Sequence, residues 1–205
     1  MVEVLEEEDG GELQSEAREV TVLFSDLRGF TALSKRVRDS DVVELLNRHH
    51  SAMAEVVFEN GGTLDKFLGD GMLAYFGAPA DQADHAQRAV RCALEMQELM
   101  LGLNKQAVEE GHEELKMGVG VHTGMVITGE IGPANRREYT AIGDTVNLAS
   151  RIESLMKSHG EEVLVSSETH VAIGDCSEAL VFAEMPGSEV RGVAEPVITW
   201  GVRRG

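Results

Sequence analysis

Two short strand-like segments, residues 63–67 and 72–76, are separated only by Leu68-Gly69-Asp70-Gly71. A connection that short cannot carry the chain across a sheet, so the two runs must pair as an antiparallel hairpin closed by a glycine turn. The neighbouring segments supply a further strand and two helices. Residues 20–24 form a β-branched run ending in Ser25-Asp26, predicted as a buried strand. A short helix is predicted over residues 31–38. A longer one follows, capped by Asp39 or Ser40 and running to about Glu59, with Val43, Leu46, His50, Met53 and Val57 on one face. Gly61-Gly62 ends it.

Residues 80–110 carry Ala86, Val90, Ala93, Leu94, Met96, Leu99 and Leu103 at helical spacing. Residues 115–129 alternate and are rich in glycine, which reads as a strand; 137–142 is another strand and 144–157 a helix. A strand at 163–166, a helical turn at 168–173 and two or three strands finish the chain, the last over 197–202. Hairpins mixed with helices imply an α+β fold, a ferredoxin-like mixed or antiparallel sheet sandwiched by helices.

At 205 residues the chain suits one domain. Residues 1–17 are acidic (Glu6, Glu7, Glu8 and Asp9) and read as a linker, leaving 18–205 as the folded domain. No apolar run approaches the ~20 residues that span a bilayer, and no basic-then-apolar leader opens the sequence. Cys92 and Cys176 lie far apart in no metal-type spacing, which fits a reducing, cytoplasmic setting. Cys92, Met53, Met96 and Met100 read as core filling, and His122 as a strand histidine satisfied by packing. The formal charge of −18 disfavours nucleic acid and anionic membrane as partners.

Asp26 follows the first strand, and Asp70 sits on the hairpin turn 70 − 26 = 44 residues later. An aspartate at a turn ordinarily caps backbone amides. Two of them, each at the end of a short strand and near glycine, are also placed to converge on one hard cation. Mg²⁺ favours one or two carboxylates completed by substrate phosphates.

Longer motifs surround both residues. Phe24-Ser25-Asp26-Leu27-Arg28-Gly29-Phe30-Thr31 and Asp65-Lys66-Phe67-Leu68-Gly69-Asp70-Gly71 resemble the two metal motifs of class III nucleotide cyclases. Tyr139-Thr140-Ala141-Ile142-Gly143-Asp144-Thr145-Val146-Asn147-Leu148-Ala149-Ser150-Arg151-Ile152 resembles their transition-state motif. Gly118-Val119-Gly120-Val121-His122-Thr123-Gly124 is also similar to the family. The likeness runs from about Val20 to Val202.

The resemblance implies an adenylate cyclase that converts ATP to cyclic AMP and pyrophosphate. It makes Asp26 and Asp70, with the carbonyl of Leu27, the ligands of two Mg²⁺ or Mn²⁺ ions per site. Asn147 would orient the ribose, and Arg151 would meet charge developing on phosphate. Asn147 and Arg151 are four apart and share a helix face. Lys66 and Thr140 would read adenine: lysine faces the N1 acceptor, and the threonine hydroxyl accepts from the 6-amino group. Animal adenylyl cyclases usually carry aspartate at the Thr140 position; lysine with threonine is similar to a bacterial and soluble subgroup associated with bicarbonate, which makes bicarbonate a candidate effector. Arg191 lies where the family places a basic residue for the terminal phosphates. Family geometry divides these residues between two subunits, implying a head-to-tail homodimer with two equivalent sites. The alternatives are a guanylate cyclase, which Lys66 opposes, a catalytically silent nucleotide-binding module, and a ferredoxin-like domain for a small effector.

Overall fold

A computed structural model describes residues 15–133, 135–174 and 180–205. Cys176 and most of the acidic segment lie outside the described residues. The elements are β1 (Glu16–Arg28), α1 (Phe30–Ser34), α2 (Asp39–Glu59), β2 (Thr63–Leu68), β3 (Gly71–Phe76), α3 (His85–Glu109), β4 (Lys116–Ile131), β5 (Glu138–Ile142), α4 (Asp144–His159), β6 (Val163–Ser166), α5 (Ser167–Ile173), β7 (Leu180–Glu184) and β8 (Thr199–Arg204). They form one sheet in the order β2-β3-β1-β4-β6-β8-β7, with β5 paired to β4 off that path. The pairings are antiparallel except β4 with β6. The expected α+β architecture is therefore present.

Strand alternation sorts the sheet into two faces. On β1, Leu23 and Leu27 enter the larger core with Met53 and Val57 of α2 and Val90 and Met96 of α3. Val20 and Val22 pack on the opposite face with Ala149 of α4. Along β4, Met117, Val119 and Val121 join the α2/α3 core, so Gly118, Gly120 and Gly124 turn toward α4. A Cβ at Gly118 would lie 2.5 Å from Met156 Cε. At Gly120 it would lie 2.4 Å from the backbone nitrogen of Glu153, and at Gly124 2.8 Å from Thr145 Oγ1. The alternating glycines let α4 lie directly on the strand.

Three local expectations are corrected. β1 and β4 outrun the predicted strands, pairing from Glu16↔Thr128 to Arg28↔Lys116, so Asp26 lies within β1 and not beyond its end. The third helix begins at His85 and not at Ala80, because the preceding segment is tied to the sheet: Arg18 donates to the Gly77 carbonyl (3.1 Å) and the Pro79 carbonyl (2.6 Å), and Thr63 to the Ala78 carbonyl (2.7 Å). On α2 the fully buried residues are His49, Met53, Val56 and Val57, while Val43 is 57% exposed. Only the second half of α2 rests on the sheet; its first turns border a cavity of about 490 Å³ against α1 and the end of α3.

Buried polar groups also cross the interior. His85 Nδ1 meets Thr21 Oγ1 at 2.7 Å, and Thr21 meets Thr123 at 2.8 Å. Thr123 meets Thr169 at 3.0 Å, Thr169 meets Ser166 at 3.3 Å, and Ser166 meets His122 Nδ1 at 2.8 Å. Thr169 Oγ1 also lies 3.5 Å from the Val121 carbonyl. His122 is thus satisfied within the packing, as its strand position suggested.

His49 generates a pH prediction. Burial, and secondarily the charge of His50, pull its pKa from 6.5 down to about 4. Below about pH 6.5 the unfolded chain binds a proton that the native chain refuses, so acid removes stability between about pH 6.5 and 4. The loss at pH 5 should reach about 2 kcal/mol at most. Urea midpoints at pH 7 and pH 5 should therefore separate less in His49→Leu than in the parent; equal separations would refute the assignment.

Candidate active site

Asp26 stands where the sheet changes width. Pairing of β1 with β3 ends at Ser25↔Met72, whereas pairing with β4 continues through Asp26↔Gly118. Alternation from Val20, Val22 and Phe24 puts Asp26 on the α4 face. Leu27 is 3% exposed and anchors the opposite side in the core. Asp70 occupies the two-residue loop of the β2–β3 hairpin, since Leu68 pairs with Gly71. Gly69 at the first loop position has φ +68°, a backbone that fits glycine and suits a tight hairpin.

Gly71 brings that loop onto β1. A Cβ there would lie 2.5 Å from the Ser25 carbonyl oxygen and 3.1 Å from Asp26 Oδ1. Asp70 is consequently close enough to perturb Asp26. Burial raises the Asp26 pKa first, and the Asp70 carboxylate raises it further, against the opposing charge of Lys157 and the Leu27 N–H bond. Two carboxylates held together against burial and mutual repulsion form a donor pair suited to divalent cations. Among the described residues no group of three or more His, Cys, Asp or Glu side chains is arranged for a metal. A cation here would complete its sphere with backbone carbonyl, water and ligand oxygens, and the donor set fits a hard ion.

Glu153 approaches the same corner from α4 and was not anticipated there. Its Oε1 lies beside Gly118, the residue paired with Asp26. Burial, then the Asp26 charge, push its pKa up to about 7, while Lys157 and Arg28 oppose the rise. Glu153 and Arg151, two apart on α4, form no ion pair among the described residues. Residues two apart on a helix lie about 200° around its axis, and Arg151 points away. The Arg151 guanidinium packs instead on Gly192, where a Cβ would lie 3.4 Å from a terminal nitrogen. Gly192 belongs to the turn closed by Val193 N–H donating to the Val190 carbonyl (3.0 Å). That turn carries exposed Arg191 to the same side of α4 as Arg151 and exposed Asn147.

Lys66 and Thr140 meet through a residue that sequence reasoning left without a role. Lys66 Nζ lies 3.3 Å from Asp65 Oδ1 and 3.6 Å from Glu138 Oε2. Thr140 donates to Asp65 Oδ2 at 2.6 Å. The position of Asp65 beside Lys66 was visible in the sequence; its reach to Thr140, 75 residues away, was not. One chain therefore carries an acidic corner, a Lys66–Thr140 group, and an Asn147–Arg151–Arg191 group. The last lies on the side of α4 turned away from the acidic corner.

A family model described as the adenylate and guanylate cyclase catalytic domain matches residues 13–203. The crystal structure of the guanylyl cyclase Cya2 superposes with a TM-score of 0.83 at 41% identity, covering 92% of this chain and 93% of that one. The adenylyl cyclase CyaB from P. aeruginosa superposes with a TM-score of 0.86 at 34% identity, covering 93% and 96%. Adenylate cyclase 1 of Rhizobium meliloti is 34% identical over 175 residues, 85% of this chain and 26% of that protein. The chain spans 8% to 37% of the length of three curated relatives.

Gly71 supplies a direct test of the acidic corner. Gly71→Ala must push the hairpin off β1, because its nearest obstruction is backbone and not a flexible side chain. The expected cost is about 1–3 kcal/mol by urea denaturation, with weaker divalent-cation binding by calorimetry. Unchanged stability and cation affinity would show that the close approach is not required.

Proposed function

The chain belongs to the adenylate and guanylate cyclase catalytic-domain family, and from that premise we propose that residues 18–205 act as an adenylate cyclase, forming cyclic AMP and pyrophosphate from ATP. The observation that carries the reading is the approach of Asp26 and Asp70 across the Gly71 contact. The ribose 3′-oxygen bonds to the α-phosphorus, the bond from that phosphorus to the β-phosphate oxygen breaks, and the hydroxyl proton is lost. Two bound Mg²⁺ or Mn²⁺ ions would supply Lewis acidity to the attacking oxygen and the phosphates. Asp26 and Asp70, helped by the Leu27 carbonyl, would hold them. Asn147 orients the ribose, Arg151 meets charge on the α-phosphate, and Arg191 meets the terminal phosphates.

Lys66 donates to adenine N1 and Thr140 accepts from the 6-amino group. Guanine reverses both polarities. This pair supports adenine even though Cya2, a guanylyl cyclase, is 41% identical; a guanylate cyclase is the second reading. The Lys–Thr pair also supports bicarbonate as an effector, and the sparse cysteines support a cytoplasmic location.

The opposed faces of α4 support a homodimer. Glu153 turns toward Asp26 of its own chain, whereas Asn147 and Arg151 turn away from it, so a complete site takes its two halves from two copies. Exposed Met125, Ile127 and Ile142, with Ile127 and Ile142 paired directly, offer apolar surface for that contact, flanked by exposed Phe67 and Leu68 on β2.

Two experiments test the reading. Purified protein with Mn²⁺ should convert ATP to cyclic AMP with at least about tenfold higher kcat/KM than GTP, because a mispolarised buried pair costs about 1–3 kcal/mol. Bicarbonate should raise the rate over chloride at fixed pH. Equal use of GTP would favour the second reading.

Asp26→Ala and Arg151→Ala should each be folded and inactive, and mixing them should restore part of the activity through heterodimers holding one intact site. Absence of recovery despite demonstrated subunit exchange would place each site within one chain.

A further inference from the structure

Asp65 is the extra residue of a β-bulge. Pairing of β2 with β3 runs Leu64↔Ala74 and then Lys66↔Leu73, with the register shifting between Leu64 and Lys66. In a regular strand Asp65 and Lys66 would point to opposite faces. The bulge re-aims the first of them, and the Lys66 ammonium lies 3.3 Å from the Asp65 carboxylate. The Asp65 side chain is 1% exposed. Its two oxygens serve different partners: Oδ1 faces Lys66 and Oδ2 accepts from Thr140 at 2.6 Å. A buried carboxylate so placed does more than join β2 to β5.

A free threonine hydroxyl is ambivalent, because it turns to donate or to accept. Such a hydroxyl would serve the 6-amino group of adenine and the 6-oxo group of guanine or hypoxanthine equally. A carboxylate has no hydrogen to give. It takes the one hydrogen of Thr140 and leaves only lone pairs for a ligand. We propose that Asp65 is the specificity-setting residue of the base pocket, acting through Thr140: it fixes that hydroxyl as an acceptor and so selects a 6-aminopurine nucleotide. The inference rests on the reading of Lys66 and Thr140 as the base readers. Asp65 does not touch the base; it is a positioning residue.

Asp65→Asn reverses the polarity with little change of shape. The asparagine carbonyl must face the Lys66 ammonium, since its NH₂ would oppose another donor. That leaves the NH₂ against Thr140, whose oxygen accepts from it and whose hydrogen turns to the ligand. The probes are 3′-deoxy-ATP and 3′-deoxy-ITP, which lack the attacking hydroxyl and report binding without turnover. Hypoxanthine changes N1 and position 6 without adding the 2-amino group of guanine.

The expected result with the dimeric protein and Mn²⁺ is a preference for 3′-deoxy-ATP in the parent. That preference should fall at least about tenfold in Asp65→Asn, on the order of the cost of one mispolarised buried hydrogen bond. Kd should carry the change, with the kcat for ATP falling much less. In a Thr140→Val background, Asp65→Asn should alter the preference less than about twofold, because the group it acts through is gone. Asp65→Ala, which frees the hydroxyl without inverting it, should also lower the preference and serves if Asp65→Asn does not fold. A parent preference that survives in a folded Asp65 variant overturns the role of Asp65 alone. So does an equal effect of Asp65→Asn with and without Thr140. A parent without preference overturns the base-reader reading itself, and the role of Asp65 with it.

Discussion

Most of the site geometry depends on one steric fact: α4 lies over three glycines of β4, Gly118, Gly120 and Gly124. At Gly120 the helix backbone itself comes against the strand, and at Gly118 and Gly124 the α4 side chains Met156, Glu153 and Thr145 do. A Cβ at Gly120 would lift the helix, because it would meet backbone, and a close-packed interior has little room to yield. The consequence reaches both sides of α4. Its inner side brings Glu153 to the acidic corner, and its outer side presents Asn147 and Arg151 beside the turn of Arg191. A second close approach, at Gly71, docks the hairpin on β1. Backbone contact sets the placement of the charged groups.

The electrostatics follow from that placement. Asp26, Asp70 and Glu153 gather negative charge at a partly buried corner, and the pKa values of Asp26 and Glu153 both rise. Lys157 and Arg28 offset part of it. Elsewhere Asp65 is matched by Lys66 and satisfied by Thr140. The two acidic sites therefore differ in kind: one retains capacity for a cation, and the other spends its charge on fixing neighbours.

Legibility in the sequence followed the range of the interactions. The hairpin was legible because so short a connection admits only antiparallel pairing, and the buried face of α3 because its period is local. The Asp26 and Asp70 motifs were legible as resemblance, and their convergence was inferred from strand ends. The extra lengths of β1 and β4 were not legible, because Glu16–Glu19 owes its strand state to pairing with Met125–Thr128, and Glu130 and Ile131 owe theirs to pairing with β5. Nor was the true face of α2, which depends on where the helix leaves the sheet. Asp65 and Glu153 were missed as participants because each acts through a residue distant in the chain. A bulge rotates the first, and a glycine opposite Asp26 admits the second.

The chain of hydroxyls across the interior obeys a counting rule. Between His85 and His122 there are five contacts and four hydroxyl groups, Thr21, Thr123, Thr169 and Ser166. Each hydroxyl contributes one hydrogen, so filling every contact takes one more, from one ring at one end. If His85 Nδ1 donates, every link points toward His122, whose Nδ1 must accept; reversing one end reverses them all. Both rings donate together only if Thr169 accepts from both sides and turns its own hydrogen to the Val121 carbonyl, at 3.5 Å the longest contact of the set. The tautomers of two histidines on different elements are thus not independent variables, and the parity of the row is kept by Thr169.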